Sequence, residues 1–299
     1  MGTKQQVHER FKIDRPKFDT FRKDQLHRAV EKFDTIELKY DGIWGVAFIQ
    51  PSKNKIDVYS RTGRLKSTLR PESMGLQKDT ILLGEFMHGS NWAIRKGVAG
   101  KFFVYDCLSY KSADVTQFPL SDRREVAEEA VAKIEMNDKK SGSVFELGAY
   151  FDRSHNVKEI WEKYVEGEHY EGLVFKNSDS HFGETWGRCK KKFEVEYVCM
   201  GFTKSDSPKY KKRGVKSVIG GLFKNGLLVK TIQVSGLTDE QRRTFFLHPH
   251  KFRMRVFTAS GRGLFKNGAV RHPSFEGWRE DKPASECTIE DVQRLGGYE

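Results

Sequence analysis

The chain has 299 residues, 37% of them apolar and 31% charged, with 27 glycines. This is the composition of a globular protein with room for two domains, and it excludes disordered, collagen-like and mucin-like chains. The formal charge of +12 is uneven, because Met200 to Glu299 carries 19 Lys or Arg against 10 Asp or Glu and leaves only +3 for the remainder.

In chain order, the first two-thirds mixes helical and strand patterns. Apolar residues at helical spacing predict helices over 21–33, 121–134 (with Ser121 as N-cap) and near 156–166. Between them, short runs rich in β-branched and aromatic residues predict strands over 36–40, 45–50, 55–60, 80–86, 102–106 and 172–176, with a turn at Pro51–Asn54. After about Glu196 the helical period fades. Strands are predicted over 197–202, 217–224, 227–234 and 252–259, and Asn225-Gly226 is a two-residue hairpin turn, since a type I′ turn needs positive φ at both positions. Phe-Lys-Asn-Gly occurs at 223–226 and again at 265–268, which reads as two similar turns. Five or so short strands in about 100 basic residues suit an OB-fold β-barrel. The expected architecture is therefore α+β, with an antiparallel domain over 1–196 and a barrel over 197–299.

No apolar run is long enough to span a bilayer, and MGTKQQVHERFK lacks the apolar stretch of a secretion signal, so a cytoplasmic, non-secreted protein is expected. Met1-Gly2 is not a myristoylation signal, because Gln6 stands where Ser or Thr is needed. Cysteines at 107, 189, 199 and 287 form no Cys-x-x-Cys pair, which argues against a zinc site and a disulfide framework. Lys204, Lys209, Lys211, Lys212, Arg213 and Lys216 crowd one Gly/Pro/Ser-containing stretch, a basic loop that is either a solvated face or a polyanion contact.

Neither a P-loop nor a Rossmann fingerprint is present. What stands out is Glu37-Leu38-Lys39-Tyr40-Asp41-Gly42, at the end of one predicted strand and just before another. A lysine there is nucleophilic only when its amine is neutral, and Asp-Gly supplies the tight turn. Lys-x-Asp-Gly alone is equally an ordinary hairpin turn.

Further short elements follow in a fixed order: Ser60-Arg61-Thr62-Gly63, Leu83-Gly84-Glu85-Phe86, Val104-Tyr105-Asp106, Pro119-Leu120 with Arg123-Arg124, Glu171-Gly172-Leu173-Val174, Trp186 with Lys190-Lys191-Lys192, Arg271-His272-Pro273-Ser274-Phe275 and Arg279-Glu280-Asp281-Lys282. In this order the chain resembles the covalent nucleotidyltransferase superfamily, and within it the ATP-dependent DNA ligases, over nearly its whole length. The resemblance implies an ATP-grasp-like adenylyltransferase domain followed by an OB domain, without a further N-terminal DNA-binding domain. It implies that Lys39 takes AMP covalently and that Glu37 reads the adenine. Leu38, Tyr40, Arg61, Glu85, Tyr105, Lys190 and Lys192 would contact the nucleotide, with Tyr105 stacking on the base and the two lysines flanking the α-phosphate. Glu171, with Glu85, would hold Mg²⁺ (Mn²⁺ as an alternative). Arg279, Asp281 and Lys282 would close over ATP and orient pyrophosphate, the barrel swinging on a hinge near 196–204. Lys209, Lys211, Lys212, Arg213 and Arg271 would grip nicked double-stranded DNA through its phosphates, and the protein would act as a monomer. Two positions depart from the family pattern: Trp44 stands where Arg is usual, and Phe193 where Pro often follows Lys-x-Lys. An RNA ligase, an mRNA-capping guanylyltransferase and a non-catalytic OB-fold binding protein are the competing readings.

Overall fold

The computed structural model describes residues 17–71, 73–87, 93–94, 96–135, 144–210 and 213–295, and the chain divides into two units, residues 1–191 and 192–299. In the first unit the strands are β1 (Phe18–Phe21), β2 (Thr35–Lys39), β3 (Ile43–Gln50), β4 (Lys55–Ser60), β5 (Leu65–Leu69), β6 (Ser73–Met74), β7 (Thr80–Phe86), β8 (Phe102–Tyr110), β9 (Ala113–Asp114), β10 (Ile134–Glu135), β11 (Phe145–Leu147), β12 (Tyr150–Asp152), β13 (Gly172–Lys176) and β14 (Trp186–Lys190). Its helices are α1 (Leu26–Lys32), α2 (Leu120–Ala132) and the short α3 (Val157–Ile160), which runs on into a π-helical turn at Trp161–Gly167.

Two mostly antiparallel sheets organise this unit. One has the order β1-β14-β13-β2-β12; the other has β11-β8-β7-β3-β4-β5. Strand alternation sorts their side chains. Ile36 and Leu38 of β2, and Tyr40 just after it, enter a core with α1 and α3, which leaves Glu37 and Lys39 on the other face. On β3, Ala47 and Ile49 pack beneath α2 with Ala127 and Ala130, while Trp44, Val46 and Phe48 line the opposite face with Ile81 and Leu83 of β7.

The helix expected over 121–134 begins one residue earlier, with Pro119 as its N-cap; Ser121 does not cap it but donates its amide to the Ser178 carbonyl at 2.8 Å. Its buried stripe includes Arg123. That guanidinium is fully buried and forks onto Asp106 (2.8 and 3.1 Å), with further bonds to the carbonyls of Phe118 (2.6 Å) and Ser180 (2.9 Å). It ties β8, α2 and the loop after β13 together.

The second unit holds β15 (Phe193–Lys204), β16 (Val215–Lys224), β17 (Leu227–Val234), β18 (Val256–Gly261) and β19 (Ser274–Arg279), with α4 (Asp239–Leu247) and α5 (Ile289–Arg294). β15 runs unbroken through position 196. Asn225 (φ 50°) and Gly226 (φ 77°) make the expected hairpin turn between β16 and β17. The strand expected from residue 252 starts only at Val256, because Met254 is left-handed (φ 64°) and interrupts the extension.

The expected closed barrel is not what the strand pairing forms. The sheet is an open path, β17-β16-β15-β18-β19, and among the described residues its two edges meet at one parallel bridge, Ser235 to Ser274, where the Phe275 amide donates to the Ser235 carbonyl at 2.8 Å. Gly236, at φ 85°, follows that bridge and lies so close to Ser274 that a Cβ there would stand 2.5 Å from its Oγ. Among the described residues no helix is long and apolar enough to cross a membrane.

Candidate active site

Lys39 is the last residue of β2, and its cross-strand neighbour on β13 is Gly172; Gly172 in turn pairs with Lys190 on β14. The two lysines thus flank a position without a side chain. The Glu171 carboxylate fills that space: Lys39 Nζ donates to Oε2 at 2.5 Å and Lys190 Nζ to Oε1 at 2.5 Å. Burial alone would push the Glu171 carboxyl up, but the two ammonium groups hold it below the usual carboxylate range. Gly172 is required here, since a Cβ would stand 2.0 Å from the Cys189 carbonyl oxygen.

Glu85 reaches this site from the other sheet. Its Oε1 accepts the Gly42 amide at 3.0 Å, so the Asp41-Gly42 turn is fastened to β7. A Cβ at Gly42 would meet the Phe86 carbonyl at 2.7 Å, which explains the glycine. Burial pushes the Glu85 carboxyl up to about 7, with Lys39 opposing the shift and Glu171 adding to it. Glu171 already holds two ammonium groups, whereas burial raises Glu85; a hard divalent cation suits the pair, since Mg²⁺ commonly takes one or two carboxylates and completes its shell with water and substrate phosphate. No group of three or more His, Cys, Asp or Glu with metal-binding geometry occurs among the described residues.

Glu37 is almost fully buried and clamped. Arg124 Nη1 donates to its Oε1 at 3.1 Å, and Lys176 Nζ lies 2.7 Å from Oε2. Arg124 also donates to the Gly148 carbonyl (2.8 Å) and stacks over Tyr150, while Lys176 sits over the rings of Tyr105 (4.8 Å) and Trp186 (4.2 Å). Burial drives the Lys176 ammonium down and Glu37 counters it. Arg124 appeared in the sequence only as part of a motif and Lys176 not at all. The one available signal for Lys176 was its strand position, two alternations beyond Gly172 on the same face.

The remaining expected residues are distributed as follows. Leu38 and Tyr40 point into the core; Tyr40 stacks on Phe103 at 4.2 Å and its hydroxyl accepts the Ala149 amide at 3.2 Å. Tyr105 lies between the sheets, edge-on to Trp186, and its buried hydroxyl has no hydrogen-bond partner among the described residues. Arg61 is exposed in the turn after β4. Because Gly45 pairs with both Ser60 and Gly84, this turn lies at the same sheet end as Glu85 and its cross-strand partner Trp44. Trp44 occupies the family's arginine position as a packing residue, against Val46, Ile81, Leu83 and Leu108.

Lys192 opens the second unit and is 4.0 Å from Glu276. There Arg279 forks onto Asp281 (2.8 and 2.7 Å) and donates to Glu196 Oε1 at 3.1 Å, and Lys282 reaches Glu196 Oε2 at 3.4 Å. Of the expected DNA contacts, Arg213 is exposed, Arg271 is partly buried, and Lys209 is ion-paired with Asp239, which also accepts the Tyr210 hydroxyl at 2.5 Å. Lys211 and Lys212 lie outside the described residues.

Comparison with known proteins meets the resemblance read from the motifs. Residues 77–191 match the family model described as ATP dependent DNA ligase domain. A protein named DNA ligase from Natronomonas pharaonis is 26% identical over 234 residues, covering 68% of this chain; the match spans 39% of that relative's length. Two solved structures share the fold: Pmar-Lig_PreS3, with TM-score 0.61, 16% identity and coverage of 93% of this chain and 72% of that one, and a Lig E DNA ligase, with TM-score 0.61, 13% identity and coverage of 89% and 100%.

Proposed function

We propose that the chain is an ATP-dependent DNA ligase that seals 5′-phosphate/3′-hydroxyl nicks in duplex DNA through a lysyl-AMP intermediate, acting as a cytoplasmic monomer. The observation that carries this reading is the Glu171 carboxylate bridging Lys39 and Lys190, a nucleophile and a second cation held at one anionic centre. The first unit serves as the adenylyltransferase domain and the second as an OB-type domain.

In the first step Lys39 releases its ammonium proton to solvent, and the resulting amine attacks the α-phosphorus of ATP. A P–N bond forms, the α–β P–O bond breaks, pyrophosphate leaves with its electron pair, and the second proton on the attacking nitrogen passes to solvent. Negative charge on the phosphoryl oxygens is met by Lys190 and Arg61, and Glu171 and Glu85 would hold Mg²⁺, which would supply further neutralisation. Glu37, ion-paired with Arg124 and Lys176, offers carboxylate acceptor oxygens and so suits the exocyclic amine of adenine. AMP then passes to the 5′-phosphate of the nick, the P–N bond breaking as a P–O–P linkage forms. The 3′-hydroxyl attacks the activated phosphate and AMP departs. The basic second unit holds DNA through phosphates without reading sequence, so binding weakens as salt rises.

The test is incubation with α-labelled ATP or GTP and Mg²⁺, followed by nicked DNA or nicked RNA. Label from ATP on the protein, abolished by Lys39→Ala, and sealing of nicked DNA are expected. Labelling from GTP would assign a guanylyltransferase, sealing of RNA alone an RNA ligase, and absence of label a binding protein.

A further inference from the structure

In the second unit α4 is fastened beside β16. Its N-terminus is a capping box, in which the Thr238 hydroxyl accepts the Gln241 amide at 3.2 Å and the Gln241 side chain accepts the Thr238 amide at 2.8 Å. Arg242 then donates to the carbonyls of Val215 and Lys216, both at 2.9 Å. Held this way, Phe245 and Phe246 of the last turn line a cleft of about 390 Å³ with Phe202 of β15 and Val215 of β16. That volume is within the range of ligand sites. Gly201 adds room, since nothing lies within 4 Å of where its Cβ would stand.

The cleft is apolar within and cationic at its mouth. Lys204, His250 and Arg253 line it and are exposed, while no carboxylate lines it. Neither Lys204 nor Arg253 makes an ion pair among the described residues. The turn that presents Arg253 carries a backbone cost, because the next residue, Met254, is left-handed (φ 64°), with its amide donating to the Cys199 carbonyl at 2.9 Å. Met254 is 53% exposed and Leu247, which follows Phe246, is 64% exposed. Large apolar side chains left in water next to residues of an apolar cleft mark a contact surface.

Single-stranded nucleic acid would need a free ring face for stacking and polar groups for base edges. Here Phe202 and Phe245 stack on one another (5.3 Å, 28°), Phe245 also meets Phe252 and Trp278, and the Thr203 hydroxyl is engaged by Ser217 at 2.6 Å. Duplex DNA would use the cations and leave the apolar interior empty. A peptide that carries a large apolar side chain between carboxylates matches both parts at once. We propose that the cleft is a docking site for an acidic peptide segment of a partner protein, with its apolar side chain seated against Phe245 and Phe246 and its carboxylates on Lys204 and Arg253. The site lies within the second unit and does not depend on the ligase reading.

The experiment selects short random peptides displayed on phage against the full-length chain, with excess nicked duplex DNA present so that cations that grip DNA are covered. The recovered peptides should share an aromatic or large aliphatic residue flanked by Asp or Glu. The most enriched peptide, made synthetically with a fluorophore, is then titrated against wild type, Arg253→Glu and Phe246→Ala, each checked for wild-type circular dichroism. Both variants should weaken binding by about tenfold or more, the first by reversing a charge at the mouth and the second by removing the apolar wall. Because Arg253 is exposed, its variant keeps the test open should Phe246→Ala unfold. The same peptide with Asn for Asp and Gln for Glu should lose binding by a similar factor. Enrichment of no acidic and apolar pattern, wild-type affinity in Arg253→Glu, undiminished binding of the uncharged peptide, or displacement of the peptide by single-stranded DNA would each overturn the proposal, the last by assigning the cleft to nucleic acid.

Discussion

Lys39 and Glu171, 132 residues apart in sequence, meet at 2.5 Å because β2 and β13 are paired neighbours and the Lys39 carbonyl accepts the Glu171 amide at 3.0 Å. The backbone bond fixes the side-chain pair. Lys190 on the other side makes the carboxylate the hub of three strands.

Glu171→Gln removes the negative charge that both lysines share. Lysyl-adenylate formation is expected to fall by about a hundredfold or more, as on loss of a preorganised electrostatic group. Circular dichroism should remain that of wild type, and a variant labelling at the normal rate would remove Glu171 from the chemistry.

Gly172→Ala places a methyl group 2.0 Å from the Cys189 carbonyl oxygen and 2.8 Å from Lys190 Cα, at a φ of 155° that L-residues rarely adopt. The strands must part. A loss of about 3 kcal/mol or more is expected from overpacking and strain together, measurable by urea unfolding.

Glu85 sets a pH dependence. Its folded-state carboxyl titrates near 7 against 4.5 when free, so between these values the folded state binds more protons than the unfolded state and stability falls as pH rises. Glu85→Gln removes that dependence while keeping an acceptor for the Gly42 amide. The variant should unfold at higher temperature than wild type at pH 8, by an amount equivalent to at most about 3 kcal/mol, with the gap closing toward pH 5.

Breaking the buried Arg123–Asp106 fork strands a charge. Arg123→Met should cost about 3–5 kcal/mol, and combining it with Asp106→Leu should cost less than the sum of the two single changes, since the second removes the orphaned carboxylate. Thermal unfolding of the four chains completes the cycle.

Trp44→Arg restores the family's usual residue at the sequence level but puts a guanidinium on an apolar face with Val46, Leu83 and Leu108. Destabilisation by about 2 kcal/mol is expected, with no gain in self-adenylylation. Faster labelling would show that the position faces the nucleotide after all.

Sequence alone determined what depends on neighbours along the chain. Alternating residues marked the strands around Lys39 and Glu171, and Asn225-Gly226 set a turn whose backbone demands are local. The ordered motifs placed nucleophile and carboxylates on one inventory. Tertiary structure decided everything that needed two distant segments: that Arg124 and Lys176 clamp Glu37, that Tyr40 belongs to the core, and that Glu196 gathers Arg279 and Lys282. It also decided that the second sheet stays open after one bridge. Spacing along a strand fixes which face a side chain takes, but not which strand lies beside it; that choice comes from burying the whole set of apolar faces at once.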